Sequence, residues 1–109
     1  MKKLLNTVCD VNCPIARASE VLDGKWTMLV VRDLLSGTKR YSQLQRSILG
    51  ISPRMLAARL ASLEQAGLIS KKIYPTVPPK TEYTLTEKGQ RIKPVIQAMA
   101  KFGSSIPQP

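Results

Sequence analysis

The stretch GISPRMLAARLASLEQAGLI, residues 50–69, decides the fold. Ser52 is a good helix N-cap, and Pro53 suits the first helical position, where its missing N–H has no partner to lose. Leu56, Leu60 and Leu63 recur at helical spacing and set one leucine stripe against a core, and Gly67 closes the helix. The opposite face carries Arg54, Ala58, Ala61, Ser62 and Gln65, where an exposed helix usually carries Glu and Lys. Small side chains on an outward face permit close approach to a partner.

Composition narrows the partner. The chain has 109 residues, 43% hydrophobic and 22% charged, ordinary values for one small globular domain. Its 17 Lys and Arg against 7 Asp and Glu give a formal charge of +10, which attracts nucleic acid, acidic membrane surfaces or acidic proteins. The charge is uneven: Lys39, Arg40, Arg46, Arg54 and Arg59 lie between Leu34 and Leu63 with no acidic residue among them, whereas Asp10, Glu20, Asp23 and Asp33 all come earlier. No run is long and apolar enough to span a bilayer, and MKKLLNTVCDV has too short an apolar region for a secretory signal, so a cytoplasmic protein is expected. Cys9 and Cys13 are so close in sequence that a disulfide between them would staple almost nothing, which favours a reduced, intracellular chain. A single domain over residues 1–109 is expected, with 1–12 and 104–109 loosely ordered.

Outward from the opening stretch, the periodicity predicts mostly helix. From Pro14 to Asp23, Ile15, Ala18, Val21 and Leu22 form one apolar face, with Gly24 as the stop. In KWTMLVVRDLLSG the apolar residues cover most of the circumference, so this helix is expected at the centre of the domain, ended by Gly37. Ser42 and Gln45 have capping-box spacing and predict a short helix through Leu44 and Ile48, which turns at Leu49 and Gly50 into the helix from Pro53. Beyond Gly67 the pattern alternates: Ile69, Lys71 and Ile73 face one way, Leu68, Ser70 and Lys72 the other, as in a strand. PTVPPK breaks it and TEYTLT resumes it with Tyr83 and Leu85 on one face, a hairpin with a stiff, basic tip. Thr86 can cap a last helix in which Ile92, Val95, Ile96, Met99 and Phe102 form a stripe opposite Lys93, Gln97 and Lys101, with Pro94 bending or shortening its early part.

Helix, turn, helix and then a basic hairpin is the order of a winged helix-turn-helix. The fold class expected is α+β, mainly α: a winged helix-turn-helix with flanking N- and C-terminal dimerisation helices. In such a pair the second helix enters the DNA major groove by its N-terminal half, where Arg54 can reach guanine edges and Ala58 a thymine methyl, while the Ser42 and Ser52 hydroxyls can donate to phosphate. The candidate DNA-binding set is Lys39, Arg40, Ser42, Ser52, Pro53, Arg54, Met55, Ala58, Arg59, Lys72, Pro79 and Lys80. The candidate dimer interface is Ile15, Ile92, Val95, Ile96, Met99 and Phe102, because so small a chain has little core left to cover two terminal amphipathic helices.

From Cys13 to Gly89 the chain resembles the HxlR-type transcriptional regulators, most specifically in Cys13-Pro14, Gly24-Lys25-Trp26, Ile51-Ser52-Pro53 with Met55-Leu56, and Val77-Pro78-Pro79 with Glu82-Tyr83. The resemblance implies a homodimeric bacterial winged-helix repressor or activator, with terminal helices in the dimer interface, the helix from Pro53 in the major groove and the hairpin beside the backbone or minor groove. It also implies a redox-active cysteine at or near the position of Cys13. Cys9 stands outside the general pattern.

Each reading has a plainer rival. The small-residue face could pack on another element, the hairpin lysines could be solvated edge charges, and the stripe from Ile92 to Phe102 could fold back on its own domain. Trp26 reads as a core anchor, since it begins the most apolar helix. Cys13 stands in two ways: as a thiolate favoured by a helix N-terminus with Arg17 one turn away, or as a small apolar filler. Cys9 and Cys13 alone make no zinc site, since zinc wants four ligands and the chain has no histidine. With no His and no Gly-rich phosphate loop, an enzyme is not expected, and the Cys-x-x-Cys of a thiol oxidoreductase is missing. The alternative function is a basic winged-helix module binding RNA or a protein assembly, although the few aromatic residues are scattered and form no stacking platform. Expected partners are double-stranded DNA with an inverted-repeat operator, a second copy of the chain, and an oxidant or small electrophile as effector; no membrane, cofactor or metal is expected.

Overall fold

The computed structural model describes residues 13–108, in which α1 (Pro14–Val21), α2 (Gly24–Leu34), β1 (Lys39–Arg40), α3 (Tyr41–Ser47), α4 (Pro53–Gln65), β2 (Ile69–Tyr74), β3 (Lys80–Leu85), α5 (Glu87–Gln90) and α6 (Lys93–Ser104) follow in order. The fold class is the one expected from sequence, a mainly helical winged helix-turn-helix with a small sheet. The sheet has three antiparallel strands in the order β1-β3-β2.

α2 is the centre of the domain. It buries Thr27, Met28, Val30, Val31 and Leu34 and packs against α4, whose leucines 56, 60 and 63 are also buried. Leu44 and Ile48 close the core from α3, Leu68, Ile69, Tyr83 and Leu85 from the sheet, and Trp26 lies half-buried against it. Burial holds the Tyr83 hydroxyl above the ordinary tyrosine pKa, and the nearby Glu64 and Tyr41 add to the shift.

The recognition-type helix α4 begins and ends as its sequence predicts. Ser52 Oγ accepts the Met55 N–H at 3.0 Å, and Pro53 occupies the first turn. At the other end the Gly67 N–H donates to Glu64 O and the Leu68 N–H to Leu63 O, both at 3.0 Å, which is a Schellman motif. Gly67 supplies the left-handed residue this motif needs, with φ +78°. Two further groups cap the same carbonyl end from α5: Thr86 Oγ1 donates to Gly67 O at 2.6 Å and Lys88 Nζ to Ala66 O at 3.0 Å. Thr86 Oγ1 also accepts the Gly89 N–H at 3.1 Å, so one hydroxyl caps α5 and ties it to α4. Thr86→Ala should therefore cost about 1–2 kcal/mol, read as a fall of roughly 4–8 °C in Tm for each kcal/mol.

Four local expectations change. α1 ends at Val21 rather than Asp23, and Gly24 opens α2 instead of only stopping α1. Between the second and third helices, where the sequence pattern predicts no element, lies β1, in which Lys39 pairs with Tyr83 and Arg40 with Glu82. That pairing keeps the chain extended as far as Arg40, so α3 starts at Tyr41, and the cap is Arg40 N–H donating to Gln43 Oε1 at 2.8 Å rather than a Ser42–Gln45 box. The last helix is two helices: α5 stops at Gln90, and α6 restarts with Pro94 in its first turn, where a proline needs no N–H partner.

Candidate nucleic-acid interface

The two helices of the helix-turn-helix are locked at their open ends. Tyr41 Oη donates to the Pro53 carbonyl at 2.8 Å and Gln45 Nε2 to the Ile51 carbonyl at 2.6 Å. These bonds fix the start of α4 against α3, a role for Tyr41 and Gln45 that no sequence period marks. On the other side, Ser47 Oγ donates to Asp33 Oδ2, and Arg32 grips Asp33 Oδ1 through Nε and a terminal nitrogen at 3.1 and 3.0 Å. α3 is thereby pinned to the end of α2 as well.

With the core side of α4 occupied by leucines, Ser52, Pro53, Arg54, Met55 and Ala58 face outward and are exposed, as are Ala61, Ser62 and Gln65. The Ser52 hydroxyl accepts from Met55 and keeps its own proton to donate outward. Arg59 is less exposed than Arg54 and Ala58: it is half-buried, and its Nε is enclosed without a hydrogen-bond partner among the described residues.

The wing meets this helix pair across a groove of about 620 Å³, lined on one side by Arg40, Tyr41 and Ser42 and on the other by Thr76–Thr81. Residues almost forty positions apart in sequence, Arg40 with Pro79 and Lys80, thus share one concave surface. Lys39 is half-buried in β1 and lies outside that groove. Lys72 is exposed on β2 with its ammonium 4.9 Å from the centre of the Tyr74 ring, and Tyr74 Oη donates to Glu82 at 2.9 Å. The register puts Arg40, Glu82 and Lys72 side by side across the sheet. The two-residue strand that aligns Arg40 is too short to show a period, which is why sequence reading missed it.

The terminal helices form a second apolar surface. Pro14, Ile15, Ala18 and Leu22 of the first helical segment and Val95 and Met99 of α6 line a groove of about 430 Å³. Ile15, Val95, Met99 and Phe102 are exposed, the last at 69%. One residue of the expected interface sits elsewhere: Ile92, 7% exposed, belongs to the protomer's own core, while Ile96 is half-buried between that core and the surface. Cys13 is the N-cap of α1, half-buried, with its carbonyl accepting the Arg17 N–H at 2.9 Å. Cys9 lies outside the described residues. Among the described residues no helix is long and apolar enough to cross a membrane, and no group of three or more His, Cys, Asp or Glu could hold a metal ion.

Comparison with known proteins agrees with this architecture. The HxlR-like helix-turn-helix family model matches residues 21–109. The HTH-type transcriptional regulator sll1512 of Synechocystis is 45% identical over 92 residues, covering 84% of this chain and 68% of that protein. A crystal structure from Porphyromonas gingivalis W83, described as a transcriptional regulator of the MarR family, superposes with a TM-score of 0.88 at 40% identity, covering 93% of this chain and 99% of that one. The redox regulator HypR in its oxidised form superposes with a TM-score of 0.82 at 34% identity, covering 89% and 100% of the two chains. By sequence and by fold, the chain belongs to the HxlR-like helix-turn-helix family and is a transcriptional regulator of the helix-turn-helix type.

Proposed function

We propose that the protein binds double-stranded DNA as a symmetric homodimer, with α4 of each protomer in the major groove of one half of an inverted repeat. The observation that carries this reading is the convergence of Ser52, Arg54 and Ala58 on one exposed face of α4 with Arg40, Ser42 and Lys80 around the adjoining groove. Small side chains allow the helix to approach base edges, a guanidinium reads guanine through two bonds, and the surrounding cations and hydroxyls fix register on phosphate. The second copy is supported by the exposed apolar face shared by Ile15, Val95, Met99 and Phe102, since a two-fold dimer matches a two-fold site. In this role Lys39, Pro53, Met55, Lys72 and Pro79 flank the contact.

Selection of bound duplexes from random DNA tests the reading, with a palindromic consensus as the expected result. On the selected duplex, Arg54→Ala should cost about 1–3 kcal/mol and relax preference at one base pair per half-site. Lys80→Ala should weaken specific and random duplexes alike. Equal losses by both variants on both kinds of duplex would remove Arg54 from base readout.

A second part of the proposal concerns control. Cys13 stands at a helix N-terminus, next to the Pro14 that lines the apolar groove, and the fold is similar to that of a protein described as a redox regulator. The helix field favours the thiolate, which is the reactive form toward an oxidant or electrophile. An adduct or an intersubunit disulfide there would tilt the two α4 helices against their grooves. Diamide should change operator affinity in wild type and in Cys9→Ser but not in Cys13→Ser, with the covalent species identified by mass spectrometry. A response retained in Cys13→Ser and lost in Cys9→Ser would move the sensor to Cys9.

A further inference from the structure

Val77 is 100% exposed at the tip of the β2–β3 hairpin, between Pro75 on one side and Pro78 and Pro79 on the other. A single exposed apolar side chain is ordinary on a protein surface. What distinguishes Val77 is its position: it lies on the wing wall of the groove whose other wall is Arg40, Tyr41 and Ser42. The turn that carries it is braced. The Thr76 N–H donates to Tyr74 O and Thr76 Oγ1 to Pro78 O, both at 2.8 Å, while Tyr74 Oη holds Glu82 at 2.9 Å.

Arg40, Ser42 and Lys80 line this groove and are available to the phosphates of one sugar–phosphate strand. A backbone strand separates a major groove from the adjacent minor groove. With α4 on the major-groove side of that strand, the far wall of the protein groove falls on the minor-groove side. We infer that Val77 is a specificity-determining contact: a stiff apolar tip that packs against the minor-groove floor beside each half-site and discriminates against the 2-amino group of guanine. The inference rests on the DNA-binding reading above and adds to it a residue and a base preference.

The chemistry is specific to that groove. In the minor groove A·T and T·A pairs present acceptors alone, whereas G·C adds the N2 amino group, which projects from the floor. Valine has no acceptor for that amino group, so the contact strips its water without replacing the hydrogen bond. Apolar side chains are also the wedges by which minor-groove proteins engage base steps. Arg40 and Lys80 supply attraction that does not depend on sequence, which leaves the apolar tip to sense the floor.

The test places a G·C pair and then inosine·C, one position at a time, at the pairs flanking the selected half-sites. This removes the 2-amino group and leaves the major-groove pattern of guanine intact. Wild type should gain about fivefold in affinity at the pairs beneath the wing, and Val77→Ala should lose that gain. Val77→Asn, whose side-chain carbonyl can accept from the amino group, should bind G·C there at least as well as inosine·C. Because Val77 is fully exposed, neither substitution disturbs the core. An inosine gain that persists in Val77→Ala, or its absence in wild type, would overturn the inference while leaving DNA binding in place. Failure to bind any duplex would overturn the DNA-binding reading itself, and this inference with it.

Discussion

Gly89→Ala should destabilise the domain by about 3 kcal/mol, near the upper end of the usual cost of overpacking. A Cβ at position 89 would lie 2.1 Å from Leu68 O and 2.9 Å from Leu85 Cδ2, distances no carbon can keep. The carbonyl cannot easily retreat. Leu68 O accepts the Thr86 N–H at 2.9 Å, and the Leu68 N–H completes the Schellman motif that ends α4. Replacing glycine by alanine in a helix would by itself gain up to about 1 kcal/mol, so the clash sets the sign. The expected fall in Tm is roughly 12–24 °C. Gly103→Ala is the internal control: nothing lies within 4 Å of its added Cβ, so it should be neutral or slightly stabilising. Equal thermal stability of Gly89→Ala and wild type would mean that α5 does not sit against Leu68 as described. The same substitution should also weaken operator binding, because α5 joins the C-terminus of α4 to the base of the wing.

The second large effect is on affinity and comes from salt. If Arg40, Arg54, Lys72 and Lys80 of both protomers meet phosphate or base edges, the complex neutralises on the order of 6–10 charges. Operator affinity should then fall about 10³- to 10⁵-fold between 50 and 200 mM salt. A double variant, Lys72→Ala with Lys80→Ala, removes two of these cations per protomer and should flatten the slope of log K against log salt by roughly 3–4. Base discrimination should survive in that variant, because these lysines lie on the wing and Arg54 lies on α4. Affinity that barely changes with salt would contradict a phosphate-based complex despite the formal charge of +10.

Those two results depend on different kinds of information. The charge, the basic segment free of acidic residues and the small-residue face of α4 are properties of residue order, and so is the N-cap pair Ser52-Pro53. Each is local or a sum, so it could be read without coordinates. Helical periodicity likewise located α2 and α4, and alternation located β2 and β3, because a buried stripe repeats within the element that carries it.

Tertiary structure decided what depends on partners far away in the chain. β1 is only Lys39–Arg40 and exists because β3 offers it a pairing edge, with Thr38 and Thr84, 46 positions apart, joined beside it through their hydroxyls at 2.8 Å. Arg59 has the residue type of a DNA contact, yet the packing of α4 turns it partly inward, and Ile92 continues the stripe of α6 yet is taken by the core. The Tyr41–Pro53 bond, the fit of Gly89 under Leu68 and the groove that gathers Arg40, Ser42, Val77 and Lys80 have no periodic signal. Amphipathic pattern determines which face of an element is apolar, because that choice repeats along a few turns. Which neighbour covers that face, and which polar side chains are thereby brought together, depends on how all the elements pack at once, and that was decided only in three dimensions.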